Sequence, residues 1–412
     1  MFAHPTDRGV RSCDSARSGT GRTLRVKILC FSKVSPVAPQ VGGAELRTWE
    51  CARRWAADGH HVAIVSGRTS ANEVLGHRVV EGVDIHVVRT LPTVAFRMKR
   101  LSYWVSRAMS YAQSIVFRPG GDWDVVRDDV SPFPSAYPLH ARRLGIPGVL
   151  VVHILFGAAR GWIDVYGPIG AVGSVGEAAI RRGVIPSVRV VSASDWLVPQ
   201  LATSARVDPI WIPNGVDGRR FRPSDQPRPD GPVRFLVVGR FGPLPKGQAD
   251  VVRALAKLPA EFEVTFAGDG PELSATVRLA RDLGVGERCI FLGNVPTEEM
   301  PQLYRRHDAF VLSSYSEGLP LTYLEAMASG LPIVSTDILA TASLTPVSQA
   351  LTFSPGDITS LANHLQLLAA DPVLRQSMGR ASRAGALARF TWDETARREL
   401  EVMHAASASH GG

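Results

Sequence analysis

Short apolar runs rich in β-branched residues alternate with helical stretches along this chain, and this alternation constrains its fold more than any other feature. In the first half, the runs stand at residues 24–31, 61–65, 84–88, 123–126 and 148–152. The stretch between the first two has helical character through Ala57, and Gly59 ends it. Parallel neighbours in a sheet need long crossover connections, which are usually helices. The first half therefore predicts a doubly wound α/β sheet.

The same series starts again after a Pro-rich segment at residues 225–232, which has the composition of an exposed linker. We expect two Rossmann-like domains that face each other across a cleft, at residues 23–222 and 223–388. A disordered tail is expected at 1–22, and a C-terminal helix at 389–412 is expected to return toward the N-terminal domain. In open sheets of this type, ligands bind beyond the carboxyl ends of the strands. The new apolar runs are at residues 233–238, 262–266, 289–292, 309–312 and 332–335.

The cysteines favour a reducing compartment. Cys13, Cys30, Cys51 and Cys289 are scattered and form no CxxC pair, so neither a structural zinc site nor a disulfide scaffold is expected. The sequence has no run of about 18 apolar residues, which a membrane-spanning helix would need. Residues 1–22 lack the apolar stretch of a secretory signal. We therefore expect a cytoplasmic protein.

Positive charge is concentrated in the first half of the chain. The net charge is +8, and residues 1–205 carry all of the excess. This asymmetry suits an anionic membrane surface, an acidic substrate or nucleic acid, and equally an arginine-rich composition without functional meaning. No nucleic-acid-binding module is recognised. Residues 96–117 place apolar and basic side chains at helical spacing. They predict either a helix lying peripherally on the inner face of the membrane or an ordinary packed surface helix.

Two cations flank a loop that follows the strand predicted at 233–238. Arg240 comes directly after Gly239, and Lys246 lies six residues further on, before Gly247 and a helix. An arginine forms bidentate hydrogen bonds with phosphate and a lysine supplies a point charge, so the pair can neutralise a diphosphate. The alternative is a surface loop with solvated cations.

A second loop, at residues 316–322, leads from a strand into a helix predicted at 323–328. Glycine and proline before a helix leave backbone N–H groups and the positive end of the helix dipole facing an anion. The alternative is simple N-capping by Ser316 or Glu317. Glu317 and Glu325 are roughly 12 Å apart if both lie along a helix. That distance is too long to share a proton and suits carboxylates that accept hydrogen bonds from sugar hydroxyls.

Two further junctions between strand and loop carry glycines, at Gly268-Asp-Gly-Pro-Glu272 and at Gly293 before Asn294 and Val295. Glycine there permits close approach of a ligand to the backbone. Taken in order with Gly239-Arg240, Lys246-Gly247 and residues 317–330, these motifs resemble the donor domain of the retaining glycosyltransferases of family four, which have the GT-B fold. The resemblance extends from about residue 24 to about residue 398 and includes Pro213-Asn-Gly-Val-Asp217 and Phe390-Thr-Trp392.

The resemblance implies a set of contacts with a nucleotide-sugar donor in the C-terminal domain. Arg240 and Lys246 would bind the diphosphate, and Glu325 would bind the ribose hydroxyls. Glu317 would hold the sugar and the distal phosphate. The backbone would contribute further contacts: Asn294 and Val295 to the base, and Gly318, Leu319, Pro320 and Leu321 to the sugar and distal phosphate.

The same resemblance assigns the N-terminal domain to the acceptor side. Gly42 and Gly43 match the family's glycine-rich loop after the first strand, with Gly43 approaching the donor phosphates. His153, at the end of the strand predicted at 148–152, would lie near the donor sugar; the alternative is an ordinary histidine at a strand end. Asp128 and Asp129 are expected after the strand at 123–126, where they are candidates for contacts with the acceptor.

The resemblance implies retention without a covalent nucleophile, and we expect no metal and no cofactor. His153, Arg240, Lys246 and Glu317 are the candidate catalytic residues. The cations would stabilise the leaving diphosphate, which itself would help to deprotonate the acceptor. Asp122-Trp-Asp124 matches the DxD metal motif of another glycosyltransferase fold, but it precedes its strand, whereas a metal-binding DxD follows one.

The sequence thus predicts a glycosyltransferase whose donor base and acceptor stay open. A uridine nucleotide is preferred on family frequency alone, and the acceptor is a glycolipid, a polysaccharide or a small natural product. Two alternatives remain: a sugar-phosphate phosphorylase or synthase on the same fold, and a catalytically inactive nucleotide-sugar-binding protein. Two features depart from the family. The loop before Lys246 is longer and contains Pro243 and Pro245, and residues 338–341 replace a Gly-Gly turn.

Overall fold

A computed structural model of the protein contains two separate β-sheets. The structure describes residues 25–32, 35–36, 42–67, 74–88, 122–130, 145–155, 177–178, 182, 185, 188–225, 231–242 and 246–409. The N-terminal sheet has eight strands: β1 (Lys27–Ser32), β2 (His61–Gly67), β3 (Gly76–Val80), β4 (Val83–Val88), β5 (Val125–Val130), β6 (Gly148–Val152), β7 (Arg189–Ser192) and β8 (Ile210–Trp211). The C-terminal sheet has six: β9 (Val233–Val238), β10 (Phe262–Ala267), β11 (Cys289–Gly293), β12 (Ala309–Leu312), β13 (Ile333–Thr336) and β14 (Leu351–Phe353).

The strand order in each sheet is that of a doubly wound fold. The N-terminal order is β3-β4-β2-β1-β5-β6-β7-β8 and the C-terminal order is β11-β10-β9-β12-β13-β14. Among the described strands every pairing is parallel except that of β3 with β4. Glu81 and Gly82, both with positive φ, form the tight turn of that hairpin. The predicted fold class, two Rossmann-like α/β domains, is confirmed.

Helices cover the sheets and have local reasons to begin where they do. Asp357 and Asp371 each accept a hydrogen bond from a backbone N–H three residues on, and Thr391 does the same for Glu394. In chain order, the described helices are α1 (Gly43–Ala57), α2 (Leu197–Ala205), α3 (Gln248–Leu255), α4 (Leu273–Asp282), α5 (Met300–Arg305), α6 (Leu321–Ala328), α7 (Thr345–Ser348), α8 (Ile358–Ala370), α9 (Pro372–Arg389) and α10 (Trp392–Ala408).

Helix α10 follows the C-terminal domain in sequence and packs against the N-terminal one. Ala396 and Met403 of α10 belong to the same buried apolar cluster as Trp55 of α1 and the strands β1 and β2. The Trp55 indole Nε1 donates a hydrogen bond to the Ala396 carbonyl oxygen at 2.9 Å. The core of the N-terminal domain is therefore completed by residues from the other end of the chain. The domain boundaries given above stay predictions.

The structure corrects one strand with consequences for the site. Strand β5 runs to Val130 instead of ending at residue 126, so Asp128 and Asp129 lie inside a buried strand and the prediction that they follow it is wrong. The run Arg127-Asp-Asp has the composition of a loop, but within the protein Arg127 forms ion pairs with Asp129 and with Glu399.

Several predictions concern residues outside the described ranges: the tail at 1–22, the amphipathic segment at 96–117, and Pro243 and Pro245. Within the described ranges, no helix has the length and apolar character needed to span a membrane.

Candidate donor and acceptor site

Lys246 and Glu317 form an ion pair at the carboxyl end of the C-terminal sheet. The Lys246 ammonium Nζ lies 2.5 Å from Glu317 Oε1, and Ser314 Oγ donates to the same oxygen at 2.7 Å. Ser313 Oγ donates to the Lys246 carbonyl at 2.8 Å. The next residue, Gly247, has φ of 66°, and a Cβ there would lie 2.0 Å from the Ser313 carbonyl oxygen. The loops after β9 and β12 are thus held together at a point that only glycine permits.

The loop at residues 316–322 leads into α6 without a side-chain cap. The helix begins at Leu321, and its N-cap, Pro320, supplies no side-chain hydrogen bond. The Glu317 carboxylate is engaged by Lys246 and Ser314, so the alternative in which Ser316 or Glu317 merely caps the helix is wrong. The first backbone N–H groups of a helix have no partner within it. They leave this end of α6 suited to an anion. Because α6 starts only at Leu321, part of the separation between Glu317 and Glu325 is not helical.

The N-terminal candidates meet this loop across the cleft. A Cβ at Gly318 would lie 2.4 Å from the carbonyl oxygen of His153, and a Cβ at Gly43 would lie 3.2 Å from Leu321 Cδ1. The Trp196 indole Nε1 donates to the Gly318 carbonyl oxygen at 3.3 Å. His153, Gly43 and the loop that starts at Glu317 therefore share one site. Gly42 immediately precedes α1.

His153 follows β6 directly, and its ring is oriented by a buried carboxylate. Its Nε2 lies 2.8 Å from Asp129 Oδ1. Burial alone would raise the pKa of Asp129, but the Arg127 guanidinium and the His153 contact hold it well below its ordinary value. Thr48 Oγ1 also donates to Asp129, at 2.5 Å.

Asp128 and Asp129 are therefore both buried in β5, and Asp128 Oδ1 accepts a hydrogen bond from the Asp129 backbone N–H at 2.7 Å. Asp129 lies behind His153 rather than on an open acceptor surface. Sequence reasoning did not find its partners Arg127 and Thr48, because nothing in the local pattern pairs them.

Glu325 lies on α6 in a narrow cleft and is half-buried. Tyr304 donates its phenolic hydrogen to Glu325 Oε2 at 2.8 Å. Burial raises the pKa of Glu325 to about 7, although Tyr304 and Arg220 both act to lower it. Asp217, Arg220, Thr297 and Trp392 also line the cleft. A carboxylate here can accept hydrogen bonds from a diol, as the ribose assignment requires. Tyr304 and Arg220 were not identified from the sequence.

Arg240 follows β9, and Asn294 and Val295 follow β11, two strands of the C-terminal sheet that are separated by β10. Arg240 is exposed beyond β9, Asn294 is exposed beyond β11, and Val295 is half-buried. A Cβ at Gly268, after the intervening β10, would lie 2.1 Å from the Gly239 carbonyl oxygen. The Gly268 backbone N–H donates to the Gly293 carbonyl oxygen at 2.7 Å. The three loops are therefore packed side by side, which their glycines allow.

A cavity of about 520 Å³ lies beside Glu317. Trp196, Tyr315 and Leu339 form much of its wall. The segment that replaces the family's Gly-Gly turn contributes Ile338 to Ala340, and Thr341 holds the turn by donating its hydroxyl to the Thr336 carbonyl oxygen at 2.8 Å. The cavity offers apolar walls next to a carboxylate, a combination suited to a sugar ring.

Asp122-Trp-Asp124 has a structural role. The Asp124 carboxylate accepts a hydrogen bond from the Lys27 backbone N–H at 2.8 Å, and the Trp123 ring stacks on His61. Among the described residues no group of three or more His, Cys, Asp or Glu side chains is placed to hold a metal ion. That the reaction needs neither metal nor cofactor stays a prediction.

Comparison with protein families gives two matches that adjoin each other. Residues 41–220 match the family model described as Glycosyltransferase Family 4. Residues 219–385 match the model described as Glycosyl transferases group 1. Together they cover residues 41–385, which include every described strand except β1 and all the candidate site residues.

Individual relatives agree with the family matches. The chain is 28% identical over 406 residues to a D-inositol 3-phosphate glycosyltransferase from Acidothermus cellulolyticus, covering 90% of this chain and 88% of the relative. Among solved structures, sucrose-phosphate synthase from Thermosynechococcus elongatus superposes with a TM-score of 0.75 at 20% identity, covering 93% of this chain and all of that one. Anabaena HepE in complex with UDP-glucose gives a TM-score of 0.67 at 16% identity, covering 92% of this chain and all of that one.

Proposed function

The chain is a glycosyltransferase of the family-4 type with the GT-B fold, and we propose that it transfers a sugar from a uridine diphosphate donor to an acceptor hydroxyl with retention of configuration. The observation that carries this proposal is the arrangement around Glu317. Its carboxylate pairs with Lys246, and the next residue, Gly318, lies against the His153 carbonyl of the opposite domain. A donor bound along this loop would have a cation at its diphosphate and the other domain at its sugar.

Lys246 is suited to stabilise the leaving diphosphate. An ammonium has three donors, so it can bond a phosphate oxygen while it keeps its contact with Glu317. Stabilising the charge that develops on the leaving group is a large source of rate enhancement. Arg240, the neighbouring cation after β9, would share this task.

Retention is proposed to occur on one face of the sugar without an enzyme-bound intermediate. Two carboxylates near the loop are engaged in ion pairs, since Glu317 pairs with Lys246 and Asp129 pairs with Arg127 and His153. The bond from the anomeric carbon to the diphosphate would break while the bond to the acceptor oxygen forms on the same side. The acceptor proton would pass to the departing phosphate.

The relatives and the charge distribution bear on the donor base and the acceptor class. The solved HepE complex contains UDP-glucose, and this agrees with the preference for uridine. The relative from Acidothermus is named for a phosphorylated acceptor, inositol 3-phosphate. The excess positive charge in residues 1–205 favours an acceptor that carries negative charge. We therefore propose an anionic acceptor, either a small phosphorylated polyol or an anionic glycolipid.

A ligand screen tests this function. Thermal shift and slow donor hydrolysis would be measured with UDP-, GDP- and TDP-sugars in the presence of EDTA, for the wild type, Glu325→Ala and Lys246→Ala. Lys257→Ala is the matched control, because Lys257 is an exposed lysine of the same domain whose ammonium donates to the Thr359 hydroxyl at 3.3 Å. We expect one uridine donor to stabilise the wild type and the control and to lose its effect in the other two variants. A response to inorganic phosphate with a sugar phosphate instead would favour the phosphorylase alternative, and no response to any nucleotide sugar would refute the transferase.

A further inference from the structure

Glu399 of α10 is a buried carboxylate held between two buried arginines of the N-terminal domain. Arg47 Nε lies 2.6 Å from Glu399 Oε1, and Arg127 Nε lies 2.7 Å from Glu399 Oε2. The side chains of all three are fully buried. Burial alone would raise the pKa of Glu399, but Arg127 and Arg47 lower it below its ordinary value. The carboxylate is therefore charged at neutral pH and compensates two cations that have no access to water.

One branch of this cluster leads to the sugar side of the site. Arg127 Nη1 donates to Asp129 Oδ2 at 2.7 Å, and Asp129 Oδ1 contacts His153 Nε2 at 2.8 Å. The orientation of the Arg127 guanidinium is therefore shared between Glu399 and the carboxylate that orients the His153 ring.

The other branch leads to the donor loop. Arg47 Nη1 donates to Asn214 Oδ1 at 3.0 Å, and Asn214 Nδ2 donates to the Leu319 carbonyl oxygen at 3.1 Å. The amide of Asn214 has only one orientation that satisfies both contacts, because Arg47 can only donate and the carbonyl can only accept. Helix α10 also holds the segment that carries Asn214, since Thr395 Oγ1 donates to the Pro213 carbonyl oxygen at 3.0 Å.

The two branches end at the same contact. His153 terminates the first and Leu319 the second, and Gly318, next to Leu319, lies against the His153 carbonyl. The remaining guanidinium nitrogens, Arg47 Nη2 and Arg127 Nη2, are buried and have no hydrogen-bond partner in the part of the chain that the structure describes. Each arginine thus leaves one NH₂ group unpaired while it contacts both Glu399 and its branch. A cluster that served stability alone would be expected to satisfy these groups, because unpaired buried donors are costly.

We propose that Glu399 is a positioning residue that fixes the spacing between His153 and the donor loop at Gly318 and Leu319. This inference rests on the proposed function, because the spacing between His153 and the donor loop affects the reaction only if donor and acceptor react between them. Removing the charge of Glu399 would leave the buried Arg47 guanidinium without a countercharge and would leave Arg127 with Asp129 alone. The two guanidinium groups would turn toward other acceptors, and both Asp129 and Asn214 would lose their present alignment.

The experiment compares Glu399→Gln with Glu401→Gln, an exposed position two residues away on the same helix. Folding would be checked by circular dichroism, and kcat and donor KM would be measured well below the unfolding temperature of each variant. We expect Glu399→Gln to lower kcat about tenfold to a hundredfold and to raise donor KM, with partial recovery in Glu399→Asp. A cluster that only adds stability would lower the unfolding temperature and leave both constants of the folded enzyme unchanged, which would overturn the proposal.

Two single-branch variants separate the effects and guard against a Glu399 variant that does not fold. Asn214→Ala is expected mainly to raise donor KM, and Asp129→Asn mainly to lower kcat. Hydrogen exchange supplies a readout that needs no activity. Relative to Glu401→Gln, Glu399→Gln should speed amide exchange in residues 153–155 and 318–322 together, and unchanged exchange in both would refute the positioning role. A wild type that binds no nucleotide sugar would refute the proposed function instead, and the exchange result would still decide the present inference.

Discussion

The carbonyl oxygen of His153 and the Cα of Gly318 face each other so closely across the cleft that a Cβ at Gly318 would lie 2.4 Å from that oxygen. The obstacle is backbone, which cannot rotate away as the end of a flexible side chain can. The two domains therefore approach each other at the loop proposed to hold the donor sugar, and the approach depends on the absence of a side chain at residue 318.

Gly318→Ala is expected to separate the domains at this contact. The added methyl must displace either His153 or the loop, and displacements of about 1 Å near reacting atoms cost about a hundredfold in rate. We expect kcat/KM to fall by about that factor in steady-state assays. Gly231→Ala is the control, because a Cβ there meets nothing within 4 Å. Equal activity of the two variants would show that the close approach has no role in the reaction.

Donor affinity is expected to depend on pH through Glu325. Its pKa is raised to about 7 by burial, so lowering the pH below 7 protonates it and removes its capacity to accept two hydrogen bonds from a diol. Affinity for an intact nucleotide sugar, measured by calorimetry from about pH 5.5 to 8.5, should fall toward low pH. Glu325→Gln should bind weakly without this dependence. Tyr304→Phe should move the midpoint upward, because the Tyr304 hydroxyl lowers the pKa of Glu325; a midpoint that moves downward would contradict the assignment.

The same group affects the stability of the unliganded protein. A carboxyl whose pKa is higher in the folded state than in the unfolded state favours folding at low pH. The contribution of Glu325 should be complete below the ordinary pKa of a glutamate, 4.5, and should be lost as the pH rises through its raised pKa of about 7. To measure this contribution, the free energy of unfolding in urea would be compared between the wild type and Glu325→Gln from pH 4.5 to about 7. A difference between the two proteins that does not change with pH would refute the raised pKa.

Lys246→Met is expected to remove most of the catalytic rate. Loss of a group that stabilises transition-state charge typically costs about a hundredfold to a thousandfold in kcat. Single-turnover assays would measure the chemical step, with Lys257→Met as the exposed control. The backbone conformation at residue 246 should be retained in Lys246→Met, because the Ser313 hydroxyl donates to the backbone carbonyl of residue 246 and not to its side chain. A variant with normal kcat and raised donor KM would place Lys246 in binding alone.

Met403→Ala tests the contribution of α10 to the N-terminal core. Met403 is fully buried in the cluster that contains Trp55, and truncating a buried methionine costs about 2–5 kcal/mol. Urea unfolding followed by the fluorescence of the tryptophans should show a loss in this range. Val373→Ala on the neighbouring helix α9 is the control, since Val373 is 73% exposed. A loss below about 1 kcal/mol would mean that the core tolerates the space, contrary to its fully buried packing.

The parts of the molecule that the sequence predicted are those with local signals. Strand β9, the glycines that follow it, and the loop before α6 each carry periodicity or turn residues within a few positions, so their order and their place at the sheet edge followed from the sequence. The glycine positions also have a physical reason that the structure shows, as at Gly247 and Gly318, where a neighbouring backbone leaves no room for a side chain.

The parts that the sequence did not predict depend on long-range pairing. Arg47 and Glu399 are 352 positions apart, and Glu325 and Tyr304 are 21 apart on different elements. Charged residues such as Arg127 and Asp129 resemble a loop in sequence until their partners are known, and this is why β5 was predicted too short. A charge can be placed in a buried strand only when its countercharge is identified, and no local pattern identifies it.

The packing of α10 on the N-terminal sheet also has a consequence for biosynthesis. A ribosome adds about 5–20 residues per second, so α10 is made at least several seconds after β9 begins the second sheet. Until then Trp55 lacks the partners that Ala396 and Met403 supply, and Arg47 and Arg127 lack the carboxylate of Glu399. All strands of the C-terminal sheet are synthesised before α10, whereas the core of the N-terminal domain is complete only after α10 has been synthesised. A nascent chain that stops short of α10 can therefore present a C-terminal domain with all its strands but cannot complete the core of the N-terminal domain.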